Sequence, residues 1–111
     1  MADRSNQPRP AVDRPRSIEH AHLPPDQRRV MDAFVVDGRL TRVPARHAKR
    51  LVVLDWLAQS FEPGRRYTER EVNETLAARH PDVATLRRHL VEEEMLSREA
   101  GEYWRSGGTT S

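Results

Sequence analysis

The strongest constraint on the fold is the run ARHAKRLVVLDWLAQSF at residues 45–61, which has the pattern of a buried helix. Its apolar residues recur every three or four positions and therefore fall along one side of a helix. This stripe comprises Leu51, Leu54, Leu57, Ala58 and Phe61. Val53 and Trp56 widen it, which predicts burial on more than one side. Pro44 precedes the helix and EPG ends it. Because the helix is apolar on more than one side, other elements must pack around it.

The composition allows one small domain around that helix. The chain has 111 residues, of which 36% are hydrophobic and 32% charged, enough for one modest core. Residues 1–23 are rich in proline, arginine, aspartate and serine without apolar periodicity, and the chain ends in SGGTTS. Such segments bury too little surface to offset the entropy of ordering. We therefore expect one domain at 24–105 and disordered tails at 1–23 and 106–111.

The residue content also limits the compartment and the kind of partner. Cysteine is absent, which excludes disulfides and thiolate metal ligands and is typical of a reducing compartment. No apolar run approaches the roughly 18 residues of a membrane-spanning helix, and the N-terminus lacks the apolar stretch of a secretory signal. We expect a cytoplasmic protein without a membrane partner. The net charge is +2, so attraction to an anionic partner must come from local clusters.

Shorter elements flank the central helix. The pattern predicts helices at 26–35, 69–79 and 82–94, an extended piece at 39–40 and a β-hairpin at 95–105. Asp26 and Asp82 are placed to cap the first and last of these helices. His80 precedes Pro81 and is expected to order the corner between the last two helices.

The stretch GRRYTEREVNETL, at residues 64–76, has two interpretations. Its three glutamates and three arginines resemble a catalytic carboxylate cluster with cationic partners. They also fit a helix start, because Thr68 followed three residues later by Glu71 is the capping-box pattern. Glu69 then lies in the first turn, where the helix dipole favours negative charge. Asn73 is a poor helix former, and we expect its side chain to bond across to a neighbouring helix or loop.

The order of these elements predicts an α+β, mostly α, winged helix-turn-helix with an extra N-terminal helix. The helix at 45–61 would be the first of three, and RRYT would add a strand to the C-terminal hairpin. The helices at 69–79 and 82–94 would form the helix-turn-helix pair, joined by the corner RHPD. The hairpin at 95–105 would be the wing.

From Asp37 to Arg105 the chain resembles a bacterial family labelled domain of unknown function 2087. The resemblance rests on DGRL, Pro44, KR before an apolar helix, FEPGRRYTEREVN, the helix containing LRRHLV, and the terminal YWR. The family carries no established activity. Some relatives are fused to helix-turn-helix repressor domains, so the resemblance implies a setting in transcription control.

The leading functional hypothesis is DNA binding in gene regulation. In winged-helix and related proteins the second helix of the pair enters the major groove, and residues near its start reach base edges. Leu86 and Leu90 would anchor that helix while its opposite side faces outward. The predicted contacts on this helix are Thr85, Arg87, Arg88 and His89. Arginine donates twice to a guanine edge, and threonine meets a polar edge or a thymine methyl.

Two further groups are candidates for phosphate contacts. Arg98 and Arg105 lie on the predicted wing. Five cations without an intervening acid precede or open the central helix: Arg39, Arg42, Arg46, Lys49 and Arg50. Such a cluster supplies affinity and salt dependence but no sequence choice. Against the hypothesis, Glu92, Glu93 and Glu94 make the far end of the proposed DNA-contacting helix acidic, and surface arginines are often paired with neighbouring glutamates.

The alternatives are a protein-interaction module and an RNA- or ribosome-associated module without sequence-specific DNA binding. Beside nucleic acid, a homodimer and a larger regulatory protein are candidate partners. We expect neither enzymatic activity nor a cofactor, because glycine-rich phosphate loops and nucleophile motifs are absent. His20 and His22 form an H-x-H pair without further ligands nearby, so no metal site is predicted. Trp56, Tyr103 and Trp104 are expected in the core rather than stacked on bases.

Overall fold

The computed structural model describes residues 23–109, so nearly all of the predicted N-terminal tail lies outside the described residues. Within 23–109 the chain is α+β, with four helices and two small antiparallel sheets. The helices are α1 Pro25–Phe34, α2 His47–Ala58, α3 Glu69–Ala77 and α4 Val83–Glu92. The strands are β1 Val35–Val36, β2 Arg39–Leu40, β3 Arg66–Thr68, β4 Leu96–Glu99 and β5 Glu102–Arg105.

The N-terminal helix α1 is not capped by Asp26 as predicted. Its N-cap is Pro24, without a side-chain cap hydrogen bond, and Asp26 lies in the first turn. There the Asp26 Oδ1 contacts Arg29 Nη2 at 2.6 Å. Proline suits the first helical position because its missing N–H would have no partner there, which explains the start at Pro25. Val35, predicted as the last helical residue, belongs instead to β1.

Strands β1 and β2 form a two-residue ribbon, which confirms the predicted turn and extended piece. Asp37 and Gly38 connect the strands with φ of 54° and 76°, the positive values that a two-residue hairpin turn requires. The ribbon is docked on the corner between α3 and α4. The Leu40 N–H donates to the Arg79 carbonyl at 2.8 Å, and Arg79 Nη1 donates to the Gly38 carbonyl at 2.7 Å.

Helix α2 lies at the centre of the core, as its apolar pattern predicted, although it is shorter than the predicted 45–61 and Leu51 of the predicted stripe is only half-buried. Its fully buried residues, together with the phenylalanine after it, are Val53, Leu54, Leu57, Ala58 and Phe61. Helices α1 and α4 pack against α2, and residues from every helix and both sheets complete a single apolar cluster. None of the helices in the described part of the chain is long and apolar enough to cross a bilayer.

Strands β3, β5 and β4 form the second sheet, in that order. The predicted addition of β3 to the C-terminal hairpin is confirmed by the pairing of Tyr67 with Tyr103. These two tyrosines face the core and are 7% and 1% exposed. The hairpin turn is at Ala100 and Gly101, as predicted, with φ of 53° and 83°.

The starts of α3 and α4 are capped as predicted. At α3, the Glu71 N–H donates to Thr68 Oγ1 at 3.1 Å and the Thr68 N–H donates to Glu71 Oε1 at 2.9 Å. At α4, the Thr85 N–H donates to Asp82 Oδ1 at 3.4 Å. His80 orders the corner, because the Asp82 N–H donates to its Nδ1 at 3.0 Å. The direction of α4 is therefore fixed at its first residue.

Residues 106–109, which the sequence placed in the C-terminal tail, run from β5 onto α2. We call them the C-terminal strap. The N–H and the Oγ1 of Thr109 donate to the two carboxylate oxygens of Asp55 at 2.6 and 2.7 Å. A Cβ on Gly108 would lie 2.9 Å from Asp55 Oδ1, so the missing side chain allows this close approach. The folded segment therefore extends beyond residue 105.

Candidate nucleic-acid interface

Helix α4 turns one side to the core and the other to solvent. Leu86 and Leu90 are fully buried, and Val83 packs against the core at their side. On the opposite side, Ala84 and Arg88 are exposed. The helical spacing predicted this division, and it leaves a polar strip on α4 that a partner can reach.

A shallow cleft of about 160 Å³ lies between α4 and β4, and we call it the α4–β4 cleft. It is lined by Ala84, Arg87, Arg88, Val91, Glu92 and Arg98. Three arginines that were predicted separately, two from the helix and one from the hairpin, therefore converge on one opening. The cleft contains three guanidinium groups and one carboxylate, so its ionised side chains leave an excess of positive charge.

Two of the three cleft arginines are held by neutral groups. Arg87 Nη1 donates to the amide Oδ1 of Asn73 on α3, which confirms that Asn73 bonds across to the neighbouring helix. The Arg98 guanidinium lies 5.7 Å from the centre of the Tyr103 ring, within the range of a cation–π contact. Arg88 has a carboxylate partner, Glu92, with Nε and Oε2 separated by 3.9 Å.

The arginines near the start of α3 differ, because each lies close to a carboxylate. Arg70 Nε is 3.2 Å from Glu74 Oε2. Nitrogen–oxygen separations of 4.0 and 3.9 Å join Arg65 to Glu71 and Arg66 to Glu102. Exposed pairs of this kind contribute little to stability, about 0–1 kcal/mol. They nevertheless neutralise the positive charge of these arginines, whereas the lining of the α4–β4 cleft carries more positive than negative charge.

Thr85 and His89 do not share the exposure of Arg88. Thr85 is half-buried beside its own helix cap. The His89 side chain is only 17% exposed, and its Nδ1 lies 3.7 Å from Glu92 Oε1. His89 is therefore half-buried, whereas Arg88 is exposed. At 100° per residue, His89 falls 100° from Arg88, which places it nearer the side of α4 that packs on the domain.

Three of the five cations in the second basic cluster, Arg39 to Arg50, are engaged within the domain. Arg39 Nη1 donates to the Ala78 carbonyl at 2.8 Å, where a cation complements the negative end of α3. The Arg42 guanidinium lies 4.9 Å from the centre of the Phe34 ring. Arg50 Nη1 donates to the Ala45 carbonyl at 3.0 Å. These contacts reduce the freedom of the three arginines to meet a phosphate.

The other two members, Arg46 and Lys49, are exposed at the start of α2. This end of α2 lies beside the end of α4, because His47 Nε2 is 2.8 Å from Glu93 Oε2. The second cluster and the α4–β4 cleft therefore both border α4. The start of α2 meets the end of α4, and the cleft extends along the side that faces β4.

The same contacts change the effect of the acidic run at the end of α4. Glu93 faces His47, and Glu92 lies within 4.0 Å of both Arg88 and His89. Two of the three glutamates, Glu92 and Glu93, therefore contact side chains from α2 and α4. The ion pair of Glu92 with Arg88 reduces the repulsion that the run exerts on an anionic partner.

Arg105 was predicted as a phosphate contact on the hairpin, but its guanidinium is bonded within the domain. Its Nη1 donates to the Phe61 carbonyl at 3.2 Å and its Nε to the Gly107 carbonyl at 3.1 Å. Its Nη2 donates to the Thr109 carbonyl. Arg105 therefore connects β5 to the residues that follow α2 and to the C-terminal strap. It does not line the α4–β4 cleft.

The glutamates of GRRYTEREVNETL have structural partners. Glu71 belongs to the capping box, and Glu69 Oε1 accepts a hydrogen bond from the Tyr103 hydroxyl at 3.2 Å. Burial, ahead of that hydrogen bond, raises the pKa of Tyr103 above its usual value. Across residues 23–109 no group of three or more histidines and carboxylates is arranged to hold a metal ion. His20 and His22 lie outside the described residues.

The three aromatic residues considered for base stacking differ in exposure. Tyr103 is buried, as predicted. Trp56 is half-buried and packs against the core. Trp104 is also half-buried but lies on the opposite face of β5 from Tyr103 and outside the apolar cluster, so its predicted place in the core is wrong. An arginine lies over each of the two rings. Arg79 lies 5.1 Å from the Trp56 ring centre and Arg66 lies 4.0 Å from that of Trp104. The arginines occupy ring faces that a base would otherwise contact.

Sequence reasoning missed the cleft itself and the internal role of Arg105. The poor helix propensity of Asn73 was a usable signal for the contact with Arg87, because Asn73 lies in the interior of α3. Gly107 and Gly108 directly after Arg105 were a signal of close chain packing. Both glycines fall in the segment predicted as a disordered tail.

Comparison with known proteins identifies a family. The model of the family described as uncharacterized proteins conserved in bacteria, DUF2087, matches residues 39–105. These residues include β2, α2, the helix pair and the C-terminal hairpin, but not α1. No curated protein and no solved structure matches the chain.

Proposed function

The chain belongs to the DUF2087 family of bacterial proteins, and from this premise we propose that it is a winged-helix protein that binds DNA in the control of transcription. Its α4 would lie in the major groove, with the β4–β5 hairpin as the wing. The protein acts as a binding module rather than as a catalyst.

The observation that carries the proposal is the convergence of Arg87, Arg88 and Arg98 on the α4–β4 cleft. A helix inserted in the major groove brings its flanking wing close to the phosphate backbone. Cations on both elements, open to one space, are what such a partner requires. Positive charge held by neutral groups attracts phosphate more strongly than charge already paired with a carboxylate.

The arrangement of the helices supports the same proposal. Helices α2, α3 and α4 pack around one core, and β3 joins the hairpin that follows α4. The cap at Asp82 fixes the direction of α4, and Arg88 projects from its solvent side. Arg46 and Lys49 at the start of α2 would contact the backbone beyond the end of α4.

The test is titration of duplex DNA at several salt concentrations with the full chain. The logarithm of the association constant is expected to fall linearly with the logarithm of the salt concentration. Arg88→Ala should weaken binding by about tenfold or more, because a hydrogen bond to a charged group contributes about 1.5–3 kcal/mol. The matched control is Arg70→Ala, since Arg70 also lies four residues before a glutamate but on α3.

Salt-sensitive duplex binding that Arg88→Ala weakens and Arg70→Ala leaves unchanged would support the proposal. Equal losses in the two variants would remove α4 from the interface. Absence of salt-sensitive affinity for any duplex or single strand would contradict nucleic-acid binding and favour the protein-interaction module. A preference for RNA over duplex DNA would reassign the class of nucleic acid.

A further inference from the structure

We propose that Asn73 is a positioning residue that holds Arg87 in the α4–β4 cleft as an unneutralised cation, and that this cleft takes one phosphate group of a nucleic-acid backbone. The inference rests on the proposed function. It adds a ligand for the cleft and a role for a residue outside it.

The first step is the identity of the group that holds Arg87. Asn73 lies in the interior of α3, where asparagine is less favourable than most residues. Its Oδ1 accepts a hydrogen bond from Arg87 Nη1 across the two helices. The cost to the helix is offset by this contact, which fixes a guanidinium that is itself half-buried.

The second step is the charge of that group. An aspartate at position 73 would have the same shape and would form an ion pair with Arg87, cancelling its charge. The amide of Asn73 fixes the guanidinium and leaves the charge intact. Because a guanidinium has five N–H donors, Arg87 also retains donors for a ligand. Partial burial lowers the local dielectric constant and so strengthens the attraction between the retained charge and an anion.

The third step is the ligand. The ionised groups around the cleft are three guanidinium donors and the single carboxylate of Glu92. Hydrogen-bond acceptors and negative charge on a ligand would complement these charged groups. Phosphate oxygens provide both and match the fork of an arginine. Arg87 and Arg98 enter the cleft from two elements, so a phosphate between them would join α4 to the hairpin.

The test compares Asn73→Asp with the full-length parent protein in duplex DNA titrations over a salt series. The substitution preserves the shape of the side chain, and its ion pair with Arg87 should maintain the melting temperature. We expect about tenfold weaker binding, from the loss of one charge-assisted contact. The magnitude of the salt slope should fall by about 0.9, which is the contribution of one phosphate on duplex DNA.

The control is Gln27→Glu, which adds the same negative charge at an exposed position on α1. It should leave the slope unchanged. A second variant, Asn73→Ala, releases Arg87 without neutralising it, so affinity should fall several-fold at an unchanged slope. If Asn73→Asp retains the parent slope, or if Gln27→Glu lowers the slope equally, the inference is overturned. A loss confined to one DNA sequence would assign a base to the cleft and would also overturn it.

Failure of the proposed function can be told apart from failure of this inference. If the parent protein binds no nucleic acid, the same variants are titrated with inorganic phosphate while the Arg87 Nε–Hε signal is followed by NMR. A shift of that signal in the parent that is lost in Asn73→Asp supports the cleft as a phosphate site. No shift in the parent overturns it.

Discussion

Helices α3 and α4 are consecutive, similar in length and joined by a tight corner, yet their arginines have different surroundings. Each helix carries an arginine four residues before a glutamate, namely Arg70 before Glu74 and Arg88 before Glu92. On α3 the pair stands among other arginine–carboxylate pairs. On α4 the pair borders a cleft that also contains Arg87 and Arg98, where Arg87 donates to an amide and Arg98 lies near an aromatic ring.

This difference shows that the number of arginines on a surface does not determine how much positive charge is available to a ligand. The group that contacts each arginine determines this. A carboxylate partner balances the charge, whereas an amide or a ring orients the guanidinium and leaves the charge available. The two helices therefore provide a test of the proposed interface within one molecule.

The largest expected effect comes from replacing two arginines by glutamates, either in the α4–β4 cleft or away from it. The double variant Arg88→Glu with Arg98→Glu should weaken duplex binding by about a hundredfold or more, with about a tenfold loss for each contact. The salt slope should fall by about two contacts. The double variant Arg29→Glu on α1 with Arg70→Glu on α3 changes the net charge equally. Both arginines face carboxylates, as Arg88 does, but neither lines the α4–β4 cleft.

Both double variants are measured by fluorescence anisotropy with labelled duplex at matched salt. The Arg29 and Arg70 variant should bind much more tightly than the Arg88 and Arg98 variant. If the two lose affinity equally, the net charge of the chain decides binding and the contrast between α3 and α4 has no functional meaning.

A smaller effect, of opposite sign, is expected at the acid of the cleft. Glu92→Gln removes the only carboxylate in the cleft lining and frees Arg88, so duplex affinity should rise about threefold, in line with the modest strength of exposed ion pairs. Glu74→Gln frees Arg70 on α3 and should leave affinity unchanged. The same anisotropy assay measures both, and an increase with Glu74→Gln would show that α3 contributes to the interface.

The smallest effect concerns the two helix caps. Thr68 caps α3 with a hydroxyl, whereas Asp82 caps α4 with a carboxylate. Hydrogen bonding by the side chain and the backbone N–H of Thr85 lowers the pKa of Asp82 below its usual 3.8. On acidification the unfolded chain therefore binds this proton first. The stabilisation is complete above the unfolded pKa and is lost as pH falls through the folded pKa.

Thermal unfolding followed by circular dichroism between about pH 5 and about pH 3 measures this dependence. The melting temperature of the parent protein should fall further across this range than that of Asp82→Asn. The asparagine amide is also a good cap but does not titrate. Parallel melting curves for the two proteins would mean that the Asp82 carboxylate does not distinguish α4 from α3.

Periodicity and capping chemistry predicted most of the elements, because both depend on neighbours along the chain. The stripe of α2, the capping box at Thr68 and the cap at Asp82 are determined within one or two helical turns. The start of α1 was wrong for a local reason, since proline at the first helical position replaced the expected cap at Asp26.

The candidate site was less predictable, because its properties depend on contacts between distant residues. The pattern placed Arg87 and Arg88 on α4 and Arg98 on the hairpin, but it did not show that they line one cleft. Arg105 looks equivalent to Arg98 in sequence, yet three backbone carbonyls engage it, one after α2 and two in the C-terminal strap. His89 lies one residue from Arg88 but is half-buried where Arg88 is exposed. Only the packing of the elements separates these residues.

The attachment of Thr109 to Asp55 has a mechanical consequence. A pulling force applied at the chain's last residues would load α2 through the strap before it reached the hairpin. The paired strands would then be protected from being peeled apart one hydrogen bond at a time. Weakening this anchor with Asp55→Ala would expose them to that unzipping.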